Sequence, residues 1–303
     1  MIEFRKLTYD DRKLFQEYLP FCQGKGCEYS FANLWMWGRQ RVAFLDGFLV
    51  LFSQFDRSSV YPFPLGQGDI KPVLDAIIED AKARGIPCRI SSMTEAECNL
   101  LESFYPGQFR FHTDRDHFDY VYAIEDLATL RGKRFQSKRN FANRFRSNHP
   151  DCQALPLDEN TADAAKALAK KWLEDKLEAN PMLDTALEQT ALDRAFTRRE
   201  ELGLEGLVLM ENGEALAMTM GSFLSPDTFD VHFEKALDGI DGAYAAINQS
   251  FAQHLQEKYP QLRYLNREDD MGIEGLRKAK LSYHPDHLVT KYWARLWEET
   301  DEN

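Results

Sequence analysis

Two turn dipeptides, Asp46-Gly47 and Asn212-Gly213, each stand between a pair of apolar runs. Both accept the left-handed backbone of a two-residue turn, so each marks a β-hairpin. The surroundings of the hairpins repeat too. Ahead of the first hairpin (strands 42–45 and 48–52) the pattern predicts a strand at 2–7 and helices over 10–18 and 29–37. Behind it come a strand at 59–63, a helix over 70–84, a strand at 88–91, a helix capped by Thr94, and a strand at 118–123. The 70–84 helix carries Val73, Ile77 and Ala81 at four-residue spacing and stops at Gly85. Thr94 and Glu97 have capping-box spacing. Ahead of the second hairpin (207–210 and 215–223) lie a strand at 153–157 and helices over 161–176 and 185–202. Behind it come strand 228–235, helix 243–258, strand 262–266, helix 274–281 and strand 287–293.

One order therefore occurs twice: strand, two helices, three-strand meander, helix, strand, helix, strand. The chain has 303 residues, too many for one ordinary core, and divides into domains expected at 1–126 and 127–303. The order resembles that of the GNAT acyltransferase fold. The expected class is α/β (α+β), two tandem GNAT-like domains, each a mixed twisted sheet flanked by helices. Such an order implies architecture, and function has to be argued from a site.

Composition narrows the setting. The formal net charge of -12 favours solubility and disfavours indiscriminate polyanion binding, so DNA is not an expected partner. The N-terminal residues lack the apolar core of a signal peptide, and the most apolar stretch, 42–55, is broken by Asp46-Gly47 and too short to span a bilayer. The expectation is a bacterial, cytoplasmic protein without a transmembrane segment. Five cysteines, irregularly spaced and with no CxxC pair, read as reduced thiols, and no metal site is expected.

Residues 127–148 depart from the acidic whole. No acid occurs from Leu127 to Asn148, while Arg131, Lys133, Arg134, Lys138, Arg139, Arg144 and Arg146 do. This is either a solvated basic helix or an anion site. At 100° per residue Phe135, Phe141, Ala142 and Phe145 share one apolar arc, and Lys138 falls inside it. A lysine facing inward needs an anionic partner or a polar cavity. The three phenylalanines read as core rather than as base-stacking residues.

In TFDVHFEKAL, Phe229, Val231 and Phe233 face one way, and Asp230, His232 and Glu234 the other. Glu234 or His232 is placed for general-base work on an attacking amine or hydroxyl; the plainer alternative is a solvent-facing strand side. Gly239 and Gly242 then sit at the mouth of the 243–258 helix, where free N–H groups attract anions. In a GNAT fold that place usually cradles the pyrophosphate of acyl-coenzyme A. The usual pattern is Gln or Arg, two residues, Gly, one residue, Gly or Ala. Here Gly239 and Tyr244 stand at the flanking positions, so the motif is degenerate. Next, Asn266, Glu268, Asp269 and Asp270 cluster at a strand end, and Arg277, Lys280 and His284 come after them near one helical face. Acids there suit an ammonium, and the bases suit a carboxylate or phosphate. The alternative is a salt-bridge network fixing the last helix.

The stretches GAYAAINQSFA and NREDDMGIEGLRKAKLSYHP, with RGKRFQSKRNFANRF, resemble a bacterial family related to the C-terminal domain of phosphatidylglycerol lysyltransferase. The resemblance runs over nearly the whole chain. It implies a tandem GNAT fold similar to Fem-type aminoacyltransferases, with aminoacyl-tRNA as donor and the second copy active. The acceptor would be a small molecule or lipid-derived. No cofactor is required, although acyl-coenzyme A stays open. The expected roles are catalysis by Glu234, His232 and Asp269, and substrate binding by Lys138, Asn266, Glu268, Arg277, Lys280 and Tyr283. Gly239, Gly242, Arg134 and Arg139 would hold donor phosphate. An acyl-coenzyme A N-acyltransferase and a non-catalytic tRNA- or anion-binding module are the alternatives.

Overall fold

The computed structural model describes residues 1–38, 40–55, 58–179 and 185–297. The chain forms two compact units. The first comprises Met1–Asp119, Asp269–Gly272 and Val289–Asn303, and the second Tyr120–Glu268 and Ile273–Leu288. Where the sequence places a division at 126/127, the units part after Asp119, and the end of the chain returns to the first unit.

The first unit is built on strands β1 (Arg5–Lys6), β2 (Gln40–Leu45), β3 (Phe48–Phe55), β4 (Ser58–Pro62), β5 (Leu65–Gly66), β6 (Arg89–Met93) and β7 (Phe109–Thr113). The second carries β8 (Asp119–Ala123), β9 (Gln153–Pro156), β10 (Glu205–Glu211), β11 (Glu214–Ser225), β12 (Thr228–Ala236), β13 (Tyr264–Asn266) and β14 (His287–Val289); β15 (Tyr292–Leu296) ends the chain. The sheet orders are β1-β2-β3-β4-β6-β15-β7, with β5 beside β3, and β14-β8-β13-β12-β11-β10-β9. β4 pairs β6 and β12 pairs β13 in parallel, and the other pairings among β1–β7 and β15, and among β8–β13, are antiparallel.

Each sheet thus receives a strand from the other half of the sequence. β8 pairs antiparallel with β13, and β15 pairs with both β6 and β7. The sequence pattern assigns each of these strands to its own half, merges β14 and β15 into one strand and leaves β7 without a signal. Pairing between strands this far apart in the chain leaves no local trace in a pattern of period two. Both hairpins form as read. Asp46 and Gly47 take φ of 50° and 84°, and Asn212 and Gly213 of 51° and 84°, as a turn with two left-handed residues requires.

The first unit packs its sheet on the Lys71–Arg84 helix, where Val73, Leu74, Ile77 and Ala81 are buried against Tyr61, Ile90 and Ala294. The Thr94–Glu97 capping box closes the start of the next helix, Glu95–Phe104. In the second unit Ala243, Ile247, Phe251 and Leu255 of the Ala243–Lys258 helix enter a core with Phe229, Val231 and Leu265. Phe135 and Phe145 are core residues, at 0% and 2% exposure. All five cysteines are free thiols. Burial pushes Cys22 and Cys88 up to about 12.

Candidate functional site

The parallel pairing of β12 with β13 lasts for three residues, Thr228↔Tyr264, Phe229↔Leu265 and Asp230↔Asn266. Beyond that point the strands part. His232 and Glu234 continue β12, and Arg267 and Glu268 leave β13, so side chains instead of backbone hydrogen bonds bridge the gap. Glu234 Oε1 is 2.7 Å from Arg267 Nη2, and Glu234 Oε2 accepts from Asn248 Nδ2 at 3.2 Å. The two side chains are 10% and 13% exposed. An ion pair this deep persists only where each charge compensates the other. Burial alone would lower the Arg267 pKa; Glu234, Tyr122 and Tyr283 outweigh it, and the guanidinium is held above its ordinary value. The guanidinium carbon lies 4.9 Å from the Tyr283 ring centroid and 5.5 Å from that of Tyr122. Its Nη1 is buried with no hydrogen-bond partner among the described residues.

His232 lies next to this pair. Its Nδ1 is 3.2 Å from Glu268 Oε1 and 3.5 Å from Asp230 Oδ2, and its Nε2 is 2.9 Å from Ser222 Oγ. Asp230, His232 and Glu268 bring ligand-type atoms within 4.8 Å of one another, a set of the composition that can ligate a divalent cation. Of these atoms, His232 Nδ1 and Glu268 Oε1 are within hydrogen-bond distance of each other.

Tyr283 also lines a cleft of about 360 Å³, together with Lys138, Phe141 and residues 239–245. Lys138 Nζ sits 4.1 Å from the Tyr283 ring centroid. One aromatic ring thereby serves two cations, one in the cleft and one bound to Glu234. Burial lowers the Lys138 pKa, Arg267 lowers it further, and Glu234 opposes both. The cleft floor is the first turn of the Ala243–Lys258 helix, whose N–H groups and dipole favour negative charge. Gly242 is required there. Its φ is 80°, and a Cβ would stand 2.1 Å from the Phe141 carbonyl oxygen.

The expected site residues separate into groups. Lys138, Tyr283, Gly239 and Gly242 line the cleft. Glu234 belongs to the arginine pair, and His232 and Glu268 to the histidine cluster. Asn266 Oδ1 accepts from Glu268 N at 2.7 Å, and Lys280 Nζ donates to the main-chain oxygens of Arg267 and Glu268 at 2.5 and 3.1 Å. Both shape the turn that presents Arg267. Arg277 is half-buried on the Glu274–Leu281 helix and does not line the cleft. Asp269 belongs to the first unit, 3.6 Å from His117 Nδ1. Arg134 pairs with Asp126 at 2.6 Å, and Arg139 caps the carbonyls of Leu130 and Gly132, so neither lines the cleft. Arg267 is the residue that sequence reasoning misses. Its signal is a lone base between Asn266 and a run of acids, at the end of a strand.

No helix among the described residues is long and apolar enough to cross a membrane. No curated protein matches the chain. A conserved Bacteroides thetaiotaomicron protein of unknown function shares 39% identity over 98% of this chain and 100% of its own, with a TM-score of 0.93. L-PGS from Bacillus licheniformis superposes at TM-score 0.69, with 15% identity over 96% of this chain and 92% of its own. FemX superposes at 0.57, with 10% identity over 96% and 97%. These likenesses bear out the tandem GNAT-like fold. The family model for the C-terminal region of phosphatidylglycerol lysyltransferase matches residues 21–295, and the chain belongs to that family.

Proposed function

We propose that the second unit transfers an aminoacyl group from aminoacyl-tRNA to an amine or hydroxyl acceptor, either lipid-derived, cell-wall-related or a small molecule. The observation that carries this reading is the Glu234–Arg267 pair, one aromatic ring away from a cleft whose walls favour an anion. Family membership and the fold shared with FemX support transfer chemistry. A donor that is a polyanion suits the exposed Arg131, Lys133, Arg144 and Arg146, two of which share the Gln136–Asn148 helix with Lys138.

The acceptor nitrogen or oxygen attacks the carbonyl carbon of the donor ester as its proton passes to Glu234. The tetrahedral oxyanion collapses, the bond to the ribose oxygen breaks, and that oxygen departs with the proton. Glu234 steers the acceptor and takes its proton as the new bond forms. Lys138 and the helix N-terminus hold a phosphate or carboxylate of the substrates. An activated ester needs little chemical help, and holding the two reactants together supplies on the order of 7–11 kcal/mol.

The test is label transfer from charged tRNA to candidate acceptors. Glu234→Gln is expected to lower the rate by roughly 10²–10⁴. An undiminished rate removes Glu234 from the chemistry. Acyl-coenzyme A runs as a parallel donor, since Gly239 and Gly242 line the cleft at the helix start. Turnover with that donor alone replaces tRNA by coenzyme A. Salt-sensitive tRNA binding without turnover on any donor leaves a binding module.

A further inference from the structure

The first unit contains a cleft of about 460 Å³ that the transfer reaction does not use. It lies on the sheet face opposite the core. Val60, Arg89, Ser91 and Trp293 alternate along their strands with the core residues Tyr61, Ile90 and Ala294. Two charged groups in this lining have unused capacity. Arg89 meets only Ser58 Oγ, at 3.5 Å, and no carboxylate pairs with it among the described residues. Glu28 Oε2 is buried and pairs with Lys291 Nζ at 2.9 Å, an ammonium that it shares.

That lysine is committed elsewhere. Lys291 Nζ is 2.6 Å from Oδ1 of Asp119, a carboxylate with 0% exposure. One ammonium against Asp119 and Glu28 leaves one negative charge over, and Glu28 is the member that lines the cleft. Sharing one ammonium leaves Glu28 with acceptor capacity that a ligand N–H can use. The lining itself shows charge of both signs in equal number, the carboxylates Glu28 and Asp114 against the cations Arg89 and Lys291, although Lys291 also serves Asp119 behind it. Balance of this kind suits a zwitterion and disfavours a polyanion such as a nucleotide. Val60, Tyr292 and Trp293 add apolar and aromatic surface, in a volume larger than a small amino acid fills.

We propose that this cleft binds a free α-amino acid with a large apolar or aromatic side chain, its carboxylate on Arg89 and its ammonium on Glu28. The site is separate from the transfer site and does not depend on the reading given for it.

Calorimetry on the full chain tests this with L-tryptophan and L-phenylalanine. L-tryptophanamide lacks the carboxylate and N-acetyl-L-tryptophan lacks the ammonium. Both amino acids should bind, each derivative should bind at least about tenfold more weakly, and Arg89→Gln should weaken binding by a similar factor. Glu28→Gln should do the same; if it disturbs Lys291 and folding, Arg89→Gln decides, because it breaks no ion pair. Glu234→Gln should leave the binding unchanged. The proposal is overturned by absence of heat at millimolar amino acid, by derivatives that bind as well as the parent, or by full binding in Arg89→Gln. Binding lost in Glu234→Gln and kept in Arg89→Gln assigns the amino acid to the second unit and equally overturns it.

Discussion

Both sheets part after a short parallel pair, and the two partings are filled differently. In the first unit the pairing covers Tyr61↔Ile90 and Pro62↔Ser91. Beyond Pro62 and Ser91 the gap is closed by backbone groups and apolar bulk. Phe63 is 3% exposed, its N–H donates to Ser91 O at 2.9 Å, and the Tyr29 hydroxyl reaches the carbonyls of Phe63 and Ser92 at 2.9 and 3.3 Å. In the second unit the corresponding stretch holds His232, Glu234, Arg267 and Glu268. The strand ends even turn alike, since Ser92 and Glu268 take φ of 58° and 56°. One backbone device thus serves two ends. Sealed by a phenol and a phenylalanine, the parting is structural. Bridged by charged side chains with Arg267 Nη1 left over, it is the parting proposed above to receive a substrate.

The harshest way to break this contrast is to remove the arginine. Arg267→Ala leaves Glu234 buried without its counter-charge and should cost about 3–5 kcal/mol in urea denaturation as well as transfer activity. The double variant Glu234→Leu, Arg267→Met should recover most of that stability and none of the activity. Transfer by the double variant would show that the pair only holds the strands together.

The first unit has a buried charge of a purely structural kind. Asp80 is 0% exposed and accepts from Ile2 N at 2.7 Å, Arg84 Nε at 2.7 Å and the Tyr61 hydroxyl at 2.9 Å. Burial would raise its pKa; Arg84, Ile2 N–H and Tyr61 outweigh this and hold it below the usual range. A carboxylate depressed by folding stabilises above its unfolded pKa, about 3.9, and that contribution is lost as pH falls through the lower folded value. Asp80→Ala should cost about 3 kcal/mol at neutral pH, and Asp80→Asn should flatten the acid limb of the stability profile. An unchanged acid limb would exclude Asp80 as its source. Tyr29→Phe, which uncovers two carbonyls in the sealed parting, should cost about 1–2 kcal/mol and spare transfer. A drop in turnover in that variant, with stability kept, would mean the first parting also serves the reaction.

Much of the fold is legible in residues close together in the chain. The two hairpins, the capping box, the helix spanning Val73 to Ala81 and the inward placement of Lys138 all come from patterns a few residues long. The exchanged strands β8 and β15 do not, because any strand of suitable alternation fits either sheet. The site is half visible for the same reason. Glu234 and His232 show themselves by alternation along one strand. Arg267 acquires its meaning from Glu234, 33 residues earlier, and from Tyr283, to which only folding brings it. Arg134 and Arg139 mislead in the opposite direction: a basic run reads as an anion site until Asp126 and the Leu130 carbonyl are seen to occupy them.

The smallest effect asked of the second parting is a change in a pH profile. Lys138 has its pKa lowered by burial first and by Arg267 second, with Glu234 opposing. It therefore loses its charge at a lower pH than an exposed lysine does. Anion binding in the cleft should be complete below the lowered value and decline as pH rises through it. Inorganic pyrophosphate is a suitable probe by calorimetry. Wild type should show an early alkaline fall, Lys138→Met weak binding at all pH, and Lys138→Arg strong binding without the fall, because a guanidinium stays charged throughout. An alkaline fall that persists in Lys138→Arg would move the titrating group elsewhere and leave Lys138 as packing for the Tyr283 ring. Its disappearance would tie the cleft to the arginine pair, since Arg267 is one of the groups that set where Lys138 titrates.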